Sequence, residues 1–157
     1  MSNESGGEDP LDWHGFMQTA PEVVTTLRAL TKVIADSGLE KPLTELMKVR
    51  ASQLNGCAFC LALHVDFARK AGVAQRTLDL IATWREAEIF SAREQAALAW
   101  TEALTLMAQQ RPSDEAYAAL REQFSRKEIA FLTSSIALIN AWNRIAGGLR
   151  FAPTSVS

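Results

Sequence analysis

The stretch Asn55-Gly56-Cys57-Ala58-Phe59-Cys60-Leu61-Ala62-Leu63-His64 decides the reading of this chain. Asn-Gly is a turn signal that breaks a helix. The residues after it carry a helical period as far as Ala71, with Arg69 and Lys70 in the last turn and Gly72 ending it. On a helix starting near Cys57, at about 100° per residue, Cys57, Cys60 and His64 share one face within roughly a 60° arc. These are the only two cysteines of the chain. Two thiols at this spacing can close a disulfide, and an imidazole one turn beyond the second can take its proton.

Outward from this helix the pattern stays helical. Thr19 and Glu22 read as a capping box with Pro21 in the first turn, opening a helix with Val23, Leu27, Leu30 and Ile34 and ending at Gly38. A second helix from about Pro42 carries Leu43, Leu46, Met47, Arg50 and Leu54. After the cysteine helix come a short helix over 75–83 and a Trp84-Arg85-Glu86 connection. Ser91 with Glu94 caps a helix bearing Leu98, Trp100, Leu104 and Met107. Past Pro112 a short helix holds Tyr117, Leu120 and Phe124. Ser125 with Glu128 then caps a long apolar helix through Phe131, Leu132, Ile136 and Ile139, loosened by Gly147-Gly148. The sequence predicts an all-α domain over 19–150. A flexible arm (1–18) precedes it, with Leu11, Trp13 and Phe16 as sticky residues for a neighbour, and a frayed tail (151–157) follows.

Bulk properties narrow the function. A chain of 157 residues with 48% hydrophobic and 22% charged content can bury a single core. The net charge of −2 and the lack of a basic stripe argue against nucleic-acid binding. No apolar run reaches the roughly 20 residues needed to span a bilayer. MSNESGGEDP is no secretory signal, so a cytoplasmic location is expected, where a Cys pair points to catalysis or metal binding.

A thiol attacks as thiolate, and a free cysteine is mostly protonated at neutral pH. The first turn of a helix favours an anion, His64 can accept the proton of Cys60, and the second thiol can resolve an oxidised first one. Two other readings stay open beside redox chemistry. Zinc would need four ligands, and the chain offers Cys57, Cys60, His64 and His14. Packing alone is also open, since free cysteine is a well-buried residue type. Glu45, with Glu40 and Lys48, reads as a solvated helix face, and Trp100 and Trp142 as core or interface. No phosphate loop is present and no cofactor is expected.

The run from Glu45 through Cys57-Ala-Phe-Cys60 to His64 resembles the AhpD-like core of the carboxymuconolactone decarboxylase family. So do Ala68–Gly72, Trp84-Arg-Glu-Ala, and the segment Arg93-Glu-Gln-Ala-Ala-Leu-Ala-Trp-Thr-Glu102. The likeness covers about residues 40–110, and its core is a Glu twelve residues before the CxxC and a His four after it. The resemblance implies an all-α fold assembled as trimers or hexamers. It also implies peroxidase activity on hydrogen peroxide or organic hydroperoxides, with electrons from a dithiol donor. By the resemblance, Cys60 is the attacking thiol, Cys57 the resolving one, and His64 with Glu45 the proton relay. Phe59 departs from the pattern, since the family's hydroperoxidases have a His there. Two further functions remain open: a redox sensor or scaffold, and a lactone decarboxylase, which would use no thiols.

Overall fold

The computed structural model describes residues 11–153. Among them are eight α-helices, one short 3-10 turn and no strand, as the sequence predicts. They are α1 (Trp13–Thr19), α2 (Pro21–Ala35), α3 (Lys41–Leu54), α4 (Ala58–Lys70), α5 (Gln75–Leu80), α6 (Ala92–Thr105), α7 (Asp114–Gln123) and α8 (Arg126–Gly148). The expected helix over 75–83 divides into α5 and the 3-10 turn Ile81–Thr83. The expected arm and tail fall partly outside the described residues, at 1–10 and 154–157. Within them, Trp13–Thr19 forms a helix capped by Asp12, whose Oδ1 accepts from the Gly15 N–H at 2.7 Å.

α3 is the central element, packed against α4, α6 and α8. It is buried on nearly all sides, with Leu46, Met47, Val49, Ala51 and Ser52 at 1% exposure or less. The larger apolar core joins α3 to α6, α7 and α8 through Leu98, Leu120, Leu132 and Ile136. Buried Glu102 accepts from Arg50 of α3 (2.9 Å), from the Trp84 indole (2.8 Å) and from Arg85 (2.5 Å). The Trp84-Arg85 pair and Glu102 thus form a structural clasp between α6 and the connection before it.

Two capping boxes sit where the sequence places them, at Ser91/Glu94 and Ser125/Glu128, each closed in both directions. The expected box at Thr19/Glu22 does not form. Thr19 is the last residue of α1, and Ala20, held out of helical geometry by the following Pro21, is the N-cap of α2. Gly147 and Gly148 are the last two residues of α8. α8 buries Ile129, Leu132, Ile136, Ile139, Asn143 and Ala146, a stripe at alternating spacings of three and four. No helix among the described residues is long and apolar enough to cross a membrane.

Candidate active site

The turn before the cysteines has a defined geometry. α3 ends with Asn55 as C-cap and Gly56 at φ 64°, the left-handed region that a residue with a side chain enters at a cost. The Cys57 N–H then reaches the Ser52 carbonyl at 3.0 Å and the Gly56 N–H reaches the Gln53 carbonyl at 3.2 Å. These two bonds make a Schellman motif. Its last residue, Cys57, is at once the N-cap of α4. Chain reversal and cysteine placement are one local event.

As N-cap, Cys57 turns its sulfur back over the first turn of α4, where Sγ accepts from the Cys60 N–H at 3.3 Å. Both cysteines are free, and each is 3% exposed. The Cys57 thiol is drawn down to about 6. Its main cause is the hydrogen bond from the Cys60 thiol, with the backbone N–H groups of Cys60 and Phe59 and the Asn143 amide adding to it against the cost of burial. Cys60 is pushed up, because it gives its proton to Cys57 and because it is buried. The resting pair therefore holds its charge on Cys57 and its proton on Cys60.

Glu45 is not on a solvated face. It is 3% exposed on the side of α3 that meets α4, so the sequence pattern misplaced it. His64 Nδ1 donates to its Oε2 at 2.8 Å, and Lys48 Nζ donates to Oε1 at 2.8 Å. Burial alone would raise the Glu45 carboxyl, but the His64 hydrogen bond and the Lys48 charge outweigh it and hold the group below the usual range. With Nδ1–H committed to a carboxylate, Nε2 is the ring nitrogen left for chemistry.

Cys60 and His64 line one cavity of about 400 Å³, whose walls include Trp13, Phe59, Leu63, Phe67, Leu138, Ile139 and Trp142. A second cavity, of about 310 Å³, lies on the other side of Lys48, His64 and Phe67 and reaches Glu45 and Thr44. Lys48, His64 and Phe67 thus stand in the wall between two cavities. His14 is not part of this arrangement: it is exposed on α1, with its ring against Gln18 at 2.9 Å. Among the described residues no cluster of three His, Cys, Asp or Glu side chains is placed to hold a metal ion.

Three contributors were not foreseen as site residues. Asn143 of α8 lies against both sulfurs, where its amide favours thiolate. Its Nδ2 donates to Ser52 at 3.0 Å and its Oδ1 accepts from Asn55 at 2.9 Å. A polar residue in the apolar stripe of α8 was the signal. Trp13 and Phe151 close over the pair from the two ends of the described chain, with ring centroids 5.7 Å apart and each within 5.7 Å of Phe59.

Comparison with known proteins agrees with this fold. The uncharacterized protein YdfG of Bacillus subtilis (strain 168) is 35% identical over 131 residues, 83% of this chain and 89% of YdfG. The crystal structure of ATU0492 from Agrobacterium tumefaciens, a protein of unknown function described as a candidate AhpD antioxidant defence protein, is similar at a TM-score of 0.86. It is 38% identical, over 89% of this chain and 96% of that one. The debrominase Bmp8, solved with 2,3,4-tribromopyrrole in a complex of a cysteine-to-alanine form, shares the fold at a TM-score of 0.81 and 17% identity. That match covers 88% of this chain and 74% of Bmp8. The family model for carboxymuconolactone decarboxylases matches residues 21–103, the span that holds Glu45, both cysteines and His64. By fold, by sequence and by this match, the chain belongs to the carboxymuconolactone decarboxylase family, on its AhpD-like side.

Proposed function

We propose that the chain reduces hydroperoxides with electrons from an external dithiol, cycling Cys57 and Cys60 between dithiol and disulfide. One observation carries the reading: of two neighbouring reduced thiols, Cys60 lines an apolar cavity that also presents His64, and Cys57 does not. Attack by Cys60 requires its proton to move to Cys57 or to Nε2 of His64, which Glu45 orients through Nδ1. The Cys60 sulfur then bonds to the distal peroxide oxygen, the O–O bond breaks, and the departing alkoxide takes the proton that left Cys60 to leave as the alcohol. Cys60 is now a sulfenic acid. The Cys57 thiolate displaces hydroxide from it, the S–S bond forms, and the hydroxide takes a proton from solvent to leave as water. Two thiol–disulfide exchanges with the donor restore both thiols and leave the donor oxidised.

The low Cys57 value bears on this order, since a resting thiolate is a resolving group held ready and a local base for Cys60. Self-association belongs to the same reading, supported by Val23, Leu30 and Val33, which α2 exposes at 44%, 41% and 55%.

The test is peroxide consumption with a dithiol donor, comparing the wild-type protein, Cys60→Ser and Cys57→Ser. We expect turnover in the wild type alone and a sulfenic acid trapped on Cys60 in Cys57→Ser. A sulfenic acid trapped only on Cys57, in Cys60→Ser, would reverse the two roles. A wild type that consumes no peroxide would overturn the reading and favour a redox sensor.

A further inference from the structure

We infer that the cavity over Cys60 selects an apolar hydroperoxide that carries a carboxylate at its far end. The reacting group rests on the peroxidase reading, whereas the carboxylate subsite stands on the cavity itself. The chain has 18 acidic and 16 basic side chains, yet among the described residues those lining this cavity include two cations, Arg28 and Lys48, and no Asp or Glu. An anion-seeking cavity on a net-acidic protein is a local arrangement and not a by-product of overall charge.

The two cations differ in availability. Lys48 is 15% exposed at its side chain and committed to Glu45 at 2.8 Å. Arg28 lies on the exposed side of α2 and has no carboxylate partner among the described residues. Its guanidinium lies 5.9 Å from the centroid of the Trp13 ring, which also lines the cavity. A guanidinium resting on an aromatic face keeps its fork of N–H donors free for a planar anion.

The cavity therefore changes character from floor to rim: a buried thiol, then aromatic and aliphatic walls, then a cation with no carboxylate partner among the described residues. Hydrogen peroxide would gain nothing from the walls. A neutral alkyl hydroperoxide would use the walls and leave Arg28 idle. A ligand with peroxide, apolar body and carboxylate in that order engages all three.

The test uses two probes with the same apolar body, one a carboxylate and the other its neutral methyl ester. Trp13 and Trp142 line the cavity, so their fluorescence reports binding without turnover. We expect 4-isopropylbenzoate to bind about tenfold more tightly than its methyl ester, the size of one charge-assisted contact. The preference should collapse towards unity in Arg28→Gln and persist in Arg76→Gln, which removes a charge from an exposed position elsewhere. The ratio of kcat/KM for cumene hydroperoxide with and without a para-carboxylate should follow the same pattern. Equal binding of acid and ester, tighter binding of the ester, or no binding of either would overturn the inference. If no hydroperoxide is consumed, the peroxidase reading falls, and the binding ratio still decides the carboxylate subsite.

Discussion

The two cysteines differ only in their place in one helical turn, and that difference gives them opposite titrations. Cys57 is the N-cap and receives hydrogen bonds, while Cys60 supplies one. In a pH titration of the reduced protein, thiolate absorbance equal to one sulfur should appear with a midpoint of about 6. Cys57→Ser should abolish that step, and Cys60→Ala should move it upward by removing the thiol donor. An unshifted midpoint in Cys60→Ala would sink the shared-proton account. The pair also makes folding stability depend on pH. Between about 6 and the unfolded thiol value of about 8.5, the folded pair holds one proton and the unfolded pair two, so stability rises with pH. Above about 8.5 both unfolded thiols ionise while Cys60 stays protonated, so the gain reverses. The pair's contribution should peak near the unfolded value and vanish in the double Cys→Ser variant, as measured by urea denaturation across pH. Spacing made the Cys57–Cys60–His64 face legible in the sequence. Their charge state was not, because it depends first on how the two buried thiols meet and then on Asn143, which is 83 residues beyond Cys60 in sequence and reaches the sulfurs only through the packing of α8 on α4.

At the scale of elements, the local signals that worked are those whose partners lie within one turn. Ser125→Ala should cost about 1 kcal/mol, because the hydroxyl and Glu128 satisfy donors at both ends of the box. Thr19→Ala should cost little by the same measure, since its side chain caps nothing. A comparable loss in both, by chemical denaturation, would contradict the placement of the α2 N-cap at Ala20. The rule that governs this start was present in the sequence: the residue before a proline is held out of the helical region. Glu45 was misread for a different reason. A stripe of apolar residues marks a helix with one wet face, but α3 is covered by α4, α6 and α8 at once. With no wet face there is no contrast between inside and outside, and only the likeness over Glu45–His64 pointed to the carboxylate as part of the site. α8 shows the converse, since its single buried stripe is regular enough that an Asn within it stands out.

At the scale of the whole molecule, the site is closed by the two ends of the described residues, and this closure is the part least visible in a linear reading. After α8 the chain turns at Arg150, which adopts φ 57°, a left-handed conformation usually taken by glycine. The Phe151 N–H returns to the Ala146 carbonyl at 2.9 Å and the Arg150 N–H to that of Gly147 at 3.3 Å. This second Schellman motif has no glycine to announce it. It delivers Phe151, 5% exposed, into the cluster that holds Phe16, Cys57 and Cys60. Trp13 meets Phe151 there, and also Trp142 at 6.0 Å. Short segments without a period read as arm and tail, whereas their order comes from long-range aromatic contacts that no local rule encodes. The closure has a measurable consequence. Phe151→Ala should cost about 3 kcal/mol, the low end for deleting a buried aromatic ring. Because Phe151 belongs to the smaller cluster and not to the main core, much of that loss should appear as local opening with the helices intact. Alkylation of the reduced cysteines by a small neutral reagent should then quicken by about tenfold or more, while helical circular dichroism stays native. Tyr117→Ala, which removes a 44%-exposed ring from α7, should leave the alkylation rate unchanged. If Phe151→Ala lowers stability and leaves the thiols as slow to alkylate as before, the aromatic closure does not govern access to Cys57 and Cys60. Entry would then run only through the cavity beneath Trp13 and Trp142, past Arg28.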